Sequence, residues 1–305
     1  MAQTPEFAYD PEILSRISSL KIHAMNVVDG LLSGQHKSPH KWSSVEFAEY
    51  KNYSPGDDIR HIDWKVFGKT DKVHVKQFEQ TTNLKCTFLL DTSGSMAYCS
   101  PFKEAPGLTK ADYARTLVAA LSYLFLKQFD AVGLTTFSDK VLSYLPPRSK
   151  PSHFQDILHG LAAIPFGGNT RMGASLGDLM ERLPRRGLVV LVSDLLCRED
   201  DVLKTLKLVA SRGQEVILFH ILHHDEVEFP FVGDLVFESL EDDLPVELDA
   251  LEIRDSYQKL MRETIAFYKK TLPSLGIDYL FLETTTPLDQ ALRYYLLRRR
   301  GFTKS

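Results

Sequence analysis

Apolar residues recur at helical spacing between Pro11 and Leu32, at Ile13, Leu14, Ile17, Leu20, Ile22, Met25, Val28 and Leu32. This predicts one amphipathic helix that stops near Gly34. After Asn83 the texture changes to short apolar runs separated by amphipathic stretches. The runs at 85–90, 131–137, 188–192, 216–222 and 277–282 are well supplied with β-branched or aromatic residues, as expected of strands covered on both faces. Helical patterns lie between and beyond them, at about 110–128, 153–163, 172–183, 201–211, 253–272 and 288–299. Such alternation predicts βαβ units and a parallel sheet. Lys140 to Leu145, just before Pro146 and Pro147, fits an edge strand paired with its predecessor through the Ser138-Asp139 turn. The acidic stretch from Asp225 to Asp249 is too long for an ordinary connection, which predicts a short strand of its own at Leu235 to Phe237. Residues 35–82, rich in charge, Gly, Pro and aromatics, read as folded but irregular. The expected fold is therefore α/β, with a doubly wound, mostly parallel sheet and an antiparallel edge strand over residues 83–305. An N-terminal helix and a charged, aromatic appendage occupy residues 1–82.

Composition narrows the function classes. The chain has 305 residues, of which 44% are hydrophobic and 25% charged, enough apolar material for a substantial core. Thirty-six Lys and Arg face 40 Asp and Glu, a formal charge of -4 that gives no general attraction for nucleic acid or anionic membrane. The first residues lack a secretory signal pattern, and no run approaches the roughly 18 apolar residues of a membrane span. A cytoplasmic protein without a membrane span is expected. Cys86, Cys99 and Cys197 form an odd set without CxxC spacing, so buried thiols are expected rather than a disulfide framework or structural zinc.

Candidate chemistry gathers at strand ends. The strand 85–90 runs into Asp91-Thr92-Ser93-Gly94-Ser95, which sets a carboxylate and two hydroxyls at alternate positions past a strand's C-terminal end. Ligands of open α/β sheets bind at that edge. By itself the motif reads first as a polar turn whose side chains cap the next helix. Two further loops favour a cation site: Gly167-Gly168-Asn169-Thr170 offers the Thr170 hydroxyl, and the strand 188–192 ends in Ser193-Asp194. Hard oxygen donors of this kind suit Mg²⁺ or Mn²⁺. The site is expected at the solvent edge of the sheet, where losing the Asp91 carboxylate would leave the fold intact. His220, His223 and His224 lack a ligand pattern for zinc and read as strand-end histidines. Arg293, Arg298, Arg299 and Arg300 suit the C-terminal dipole of the last helix.

Asp91, Ser93, Ser95, Thr170 and Asp194 match, in order, the ligands of the metal-ion-dependent adhesion site of von Willebrand factor A-type domains. The resemblance implies a von Willebrand A-like fold and a cation with one coordination position open to a partner's carboxylate. Upstream, the stretches 44–50, 53–65 and 75–79, above all Gly56-Asp57-Asp58 to Asp63-Trp64-Lys65, resemble the domain-of-unknown-function 58 family. Trp42, Lys69 and Thr81 depart from its common residues without touching the metal positions. That resemblance implies a von Willebrand A-like domain encoded beside MoxR-type AAA+ ATPases. The block from Gly56 to Lys65 serves either internal pairing around an anchored Trp64, expected at least half buried, or docking.

Neither a P-loop nor a nucleotide-binding glycine fingerprint is present, and no serine has an evident base. The expected function is a non-enzymatic, cation-dependent protein-binding module, an adaptor or co-chaperone of a MoxR-type AAA+ ATPase, with a carboxylate supplied by that ATPase, by a client protein or by both. The alternative is a magnesium-dependent hydrolase or phosphotransferase on the same site, for which Asp139 is the tempting third carboxylate.

Overall fold

The structure is a computed structural model that describes residues 11–33, 44–52, 66, 68, 73–81, 84–102, 108–168, 178, 180–184, 186–240 and 245–301. Helix α1 spans Pro11–Ser33, followed by strands β1 (Ser44–Asn52), β2 (His74–Thr81) and β3 (Lys85–Asp91). A 3₁₀ turn at Gly94–Ala97 precedes α2 (Lys110–Lys127), β4 (Ala131–Phe137), β5 (Val141–Arg148) and α3 (His153–Ala162). Then come β6 (Gly187–Ser193), α4 (Glu199–Ser211), β7 (Gln214–Leu222) and the short α5 (His224–Glu228). The hairpin β8 (Asp234–Phe237) and β9 (Val246–Asp249) leads to α6 (Ala250–Ser274), β10 (Ile277–Glu283) and α7 (Leu288–Gly301).

The main sheet has six strands in the order β10-β7-β6-β3-β4-β5. Its pairings are parallel except β4 with β5, so the expected mostly parallel α/β sheet with an antiparallel edge is present. Strand β5 runs on through Pro146 and Pro147, further than expected. An edge strand tolerates this because one side of its backbone needs no partner. Period-two alternation divides the strand side chains between two cores. Phe88, Leu90, Val190 and Val192 join Leu117, Leu121, Ile157 and Leu292 on one face, and Leu89, Val189 and Leu191 join Val202, Leu206, Tyr268 and Leu272 on the other.

Helix α1 belongs to the first core. Ile17, Leu20, Ala24, Val28 and Leu31 are buried along a single helical stripe, whereas Ile22 points to solvent. Asp29 of α1 also pairs with Lys127 of α2 at 2.6 Å.

Residues 35–82 are less irregular than expected, because β1 and β2 form an antiparallel pair. The register slips between Phe47 and Glu49, leaving Ala48 out of the pairing. Such a bulge breaks the alternation by which a strand is recognised. Trp64, Thr170 and most of the predicted helix 172–183 lie outside the described residues. Cys86 is buried, but Cys99 is exposed and Cys197 is only partly covered, which corrects the expectation of three buried thiols. No helix among the described residues is long and apolar enough to cross a membrane.

Candidate metal site

Strand order decides where the strand-end residues meet. From β3 the chain crosses to β4 on one side, and its return places β6 on the other. The connections diverge at β3 and β6, which opens a crevice at their C-terminal ends. Asp91 closes β3, and Ser193 closes β6 with Asp194 directly after it.

Backbone bonds fix the surrounding loops. Both the N–H and the hydroxyl of Thr92 donate to the Phe137 carbonyl, at 2.9 and 3.0 Å. Gly167 N–H donates to the Thr92 carbonyl at 3.0 Å, and Gly94 N–H to the Gly168 carbonyl at 2.9 Å. These bonds hold the 167–168 loop against the Asp91–Ser95 loop. Gly168 adopts φ of +80°, a conformation that suits glycine.

Four of the five expected ligands come together: Asp91, Ser93, Ser95 and Asp194. Asp91 accepts hydrogen bonds from Ser93 N–H at 3.0 Å and from the Ser193 hydroxyl at 2.6 Å. The Ser93 and Ser95 hydroxyls lie 3.1 Å apart. Asp194 accepts Leu196 N–H at 3.2 Å on one oxygen and the Lys110 ammonium at 2.7 Å on the other. Lys110 also donates to Glu226 at 2.5 Å.

The site is deeper than expected. Asp91, Ser93 and Asp194 are all 0% exposed, while Ser95 is partly open. The expectation that Asp91→Ala would be structurally harmless therefore needs correction. Alanine there would deprive Ser93 N–H and the Ser193 hydroxyl of their acceptor in a buried network.

The two carboxylates differ in electrostatics. Burial, reinforced by the like charge of Asp194, pushes Asp91 up to about 7, although hydrogen bonds from Ser193 and Ser93 oppose the rise. Burial would raise Asp194 as well, but Lys110, Ser95 and the Leu196 amide hold it below the ordinary carboxylate range. Lys110 is itself held above its usual value, because Asp194 and Glu226 outweigh its burial. Lys110 thus meets two of the three carboxylates, Asp194 and Glu226, and no basic side chain among the described residues pairs with Asp91. This donor set fits a hard divalent cation. No three or more His, Cys, Asp or Glu converge as a metal-holding group among the described residues, so two carboxylates and the serine hydroxyls would have to supply the ligands.

The histidines have separate partners. His220 lies between the Asp194 backbone carbonyl at 2.9 Å and the Tyr279 hydroxyl at 2.8 Å. Burial brings it down to about 4, so it is neutral at pH 7 with its proton on Nε2, facing the carbonyl. His223 caps α5 by accepting Asp225 N–H at 3.1 Å, and Glu226 accepts His223 N–H at 2.7 Å to complete a capping box. His224 meets Glu283 at 3.2 Å. Asp139 accepts the Ser138 hydroxyl at 3.2 Å in the turn between β4 and β5.

Sequence reasoning missed Lys110, Ser193 and Glu226. A signal for Lys110 was available, because it is the first residue of α2, after the Thr109 cap. A cation is unfavourable beside a helix N-terminus unless something compensates it. Asp194 and Glu226 provide that compensation.

The chain is 27% identical over 297 residues to the uncharacterized protein Rv1480 of Mycobacterium tuberculosis, covering 96% of this chain and 92% of that one. It is also 27% identical over 144 residues to the uncharacterized protein YeaD of Bacillus subtilis, covering 47% of this chain and 32% of that one. Among solved structures, the conserved hypothetical protein BatB from Bacteroides thetaiotaomicron aligns with a TM-score of 0.42 and 13% identity, over 72% of this chain and 99% of that one. The family described as "Protein of unknown function DUF58" matches residues 49–266, and the chain belongs to that family.

Proposed function

We propose that the chain is a von Willebrand A-like, divalent-cation-dependent protein-binding module, acting as adaptor or co-chaperone of a MoxR-type AAA+ ATPase. The observation that carries this reading is the unequal pair of buried carboxylates at the β3–β6 crevice. Asp194 is paired with Lys110, which it shares with Glu226, while Asp91 is buried beside it with no cationic partner among the described residues. Burying a carboxylate in that state is costly, and a bound cation relieves the cost.

In this reading Asp91, Ser93, Ser95 and Asp194, joined by Thr170, hold Mg²⁺ or Mn²⁺. The ion would offer a position to a carboxylate from the ATPase or a client. The partner ATPase, not this chain, would turn over ATP.

Calorimetry tests the site first: Mg²⁺ should bind the wild-type protein and fail to bind Asp91→Asn. Pull-down from the native cell then tests the partner, with a MoxR-type ATPase expected in Mg²⁺ and lost in excess chelator. Equal recovery in both conditions would defeat the cation bridge. Wild type and Asp91→Asn binding Mg²⁺ equally would defeat the site itself.

A further inference from the structure

Lys110 is an unusual neighbour for a cation site. Its ammonium is 0% exposed, lies 2.7 Å from Asp194 and is held on its other side by Glu226. Glu226 is fixed in turn by the capping box at the start of α5. The contacts link helix α2, the end of β6 and helix α5 through one buried charge. A lysine serving only as a tether for α2 would sit more cheaply at the surface, because desolvating an ammonium and two carboxylates offsets much of their attraction.

The other contacts of Asp194 give the arrangement its direction. Its second oxygen accepts Leu196 N–H, and its own carbonyl accepts from His220. Lys110 is therefore one of several contacts that hold this residue, but among the described residues it is the one that brings a positive charge to its carboxylate. Asp91 has hydrogen bonds and, among the described residues, no such positive partner.

We propose that Lys110, braced by Glu226, is a positioning residue that masks the charge of Asp194, so that a divalent ion at Asp91, Ser93 and Ser95 retains excess positive charge for a partner's carboxylate. The inference rests on the cation-site reading above and adds a division of labour to it. Asp91 supplies the attraction for the ion. Lys110 limits how far the protein neutralises that ion, exchanging cation affinity for attraction towards an anionic group.

The experiment uses Mn²⁺ as the probe, its affinity read by paramagnetic resonance, and acetate as the carboxylate, read by its perturbation of the bound Mn²⁺ signal. The double variant Lys110→Met/Glu226→Gln removes one charge of each sign and keeps the formal charge of the cluster. Unmasking Asp194 should tighten Mn²⁺ several-fold, roughly up to tenfold for a unit charge at this range, and weaken acetate capture by a similar factor. A purely structural lysine would not move the two affinities in opposite directions. If a folded double variant binds both probes unchanged, or both more weakly, the Lys110 proposal is overturned while the cation site stands. If the wild-type protein does not bind Mn²⁺, both readings fall. Should the double variant fail to fold, Glu226→Gln alone leaves Lys110 uncompensated on that side. Mn²⁺ should then bind several-fold more weakly with acetate capture preserved or strengthened, and unchanged Mn²⁺ affinity would overturn the proposal.

Discussion

Replacing Asp91 with asparagine should stabilise the metal-free protein at pH 8 while abolishing its response to Mg²⁺. In the folded chain Asp91 is raised from 3.8 to about 7, chiefly by burial and then by Asp194. An acid raised in this way contributes most below its unfolded value, and that contribution is lost as pH climbs through the folded one. The wild-type protein should therefore lose stability between about pH 4 and 7. At about 1.4 kcal/mol per pH unit, the ionised Asp91 costs on the order of 4 kcal/mol at pH 8. Asparagine removes that cost. Its carbonyl can still accept Ser93 N–H, but its amide then faces the Ser193 hydroxyl, which already accepts Leu195 N–H. Reorganising that hydroxyl should return about 1–2 kcal/mol, leaving a net gain of about 2–3 kcal/mol. Urea unfolding in chelator at pH 5 and pH 8 measures the difference, which should shrink at the lower pH. Mg²⁺ at about one hundred times its dissociation constant should add about 2.7 kcal/mol to wild type and nothing to the variant. An Asp91→Asn protein less stable than wild type at pH 8, or equally stabilised by Mg²⁺, would refute the reasoning.

Two other sites can be tested in the same way. Gly187 opens β6 so close to Lys85 that an added Cβ would run into the Lys85 carbonyl oxygen. Gly187→Ala should lower the urea midpoint by the equivalent of about 1–3 kcal/mol, and an unchanged midpoint would show that β3 and β6 adjust freely. His220→Phe deprives the Tyr279 hydroxyl and the Asp194 carbonyl of a partner and should cost about 2–4 kcal/mol at neutral pH. Because folding lowers His220 from 6.5 to about 4, wild-type stability falls as pH drops through that window, and the variant should lack this component.

How much the sequence disclosed depended on whether a residue's neighbours were local. The runs within β3, β4, β6, β7 and β10 were readable because both faces of those strands are covered. Asp91 and Asp194 were readable because each follows such a run directly. The β1–β2 pair was obscured by the bulge at Ala48 and by polar composition. The depth of the site was also hidden, because the carboxylates are covered by elements distant in the chain. Lys110 and Glu226 are 116 residues apart, and their contact follows only when the sheet order places α2 and the β7 end together. Only the unfavourable charge at the start of α2 left a local trace.

The two ends of the β3–β6 crevice are unequally constrained. Asp194 is held through Lys110 from α2, the amide of Leu196 and, at its carbonyl, His220 from β7. Asp91 relies on Ser93 and Ser193, and its own charge works against that arrangement. A change of charge in the crevice therefore does most of its energetic work on the Asp91 side. That side includes the Ser93–Ser95 turn and, through Gly94 N–H on the Gly168 carbonyl, the adjoining loop. Protonation and, on the proposed reading, cation binding would both relieve Asp91, so they would compete for the same stabilisation. For this reason the Mg²⁺ increment in unfolding free energy should shrink as pH falls below about 7, in step with protonation of Asp91. An increment that is the same at pH 5 and pH 8 would place the cation somewhere other than beside Asp91.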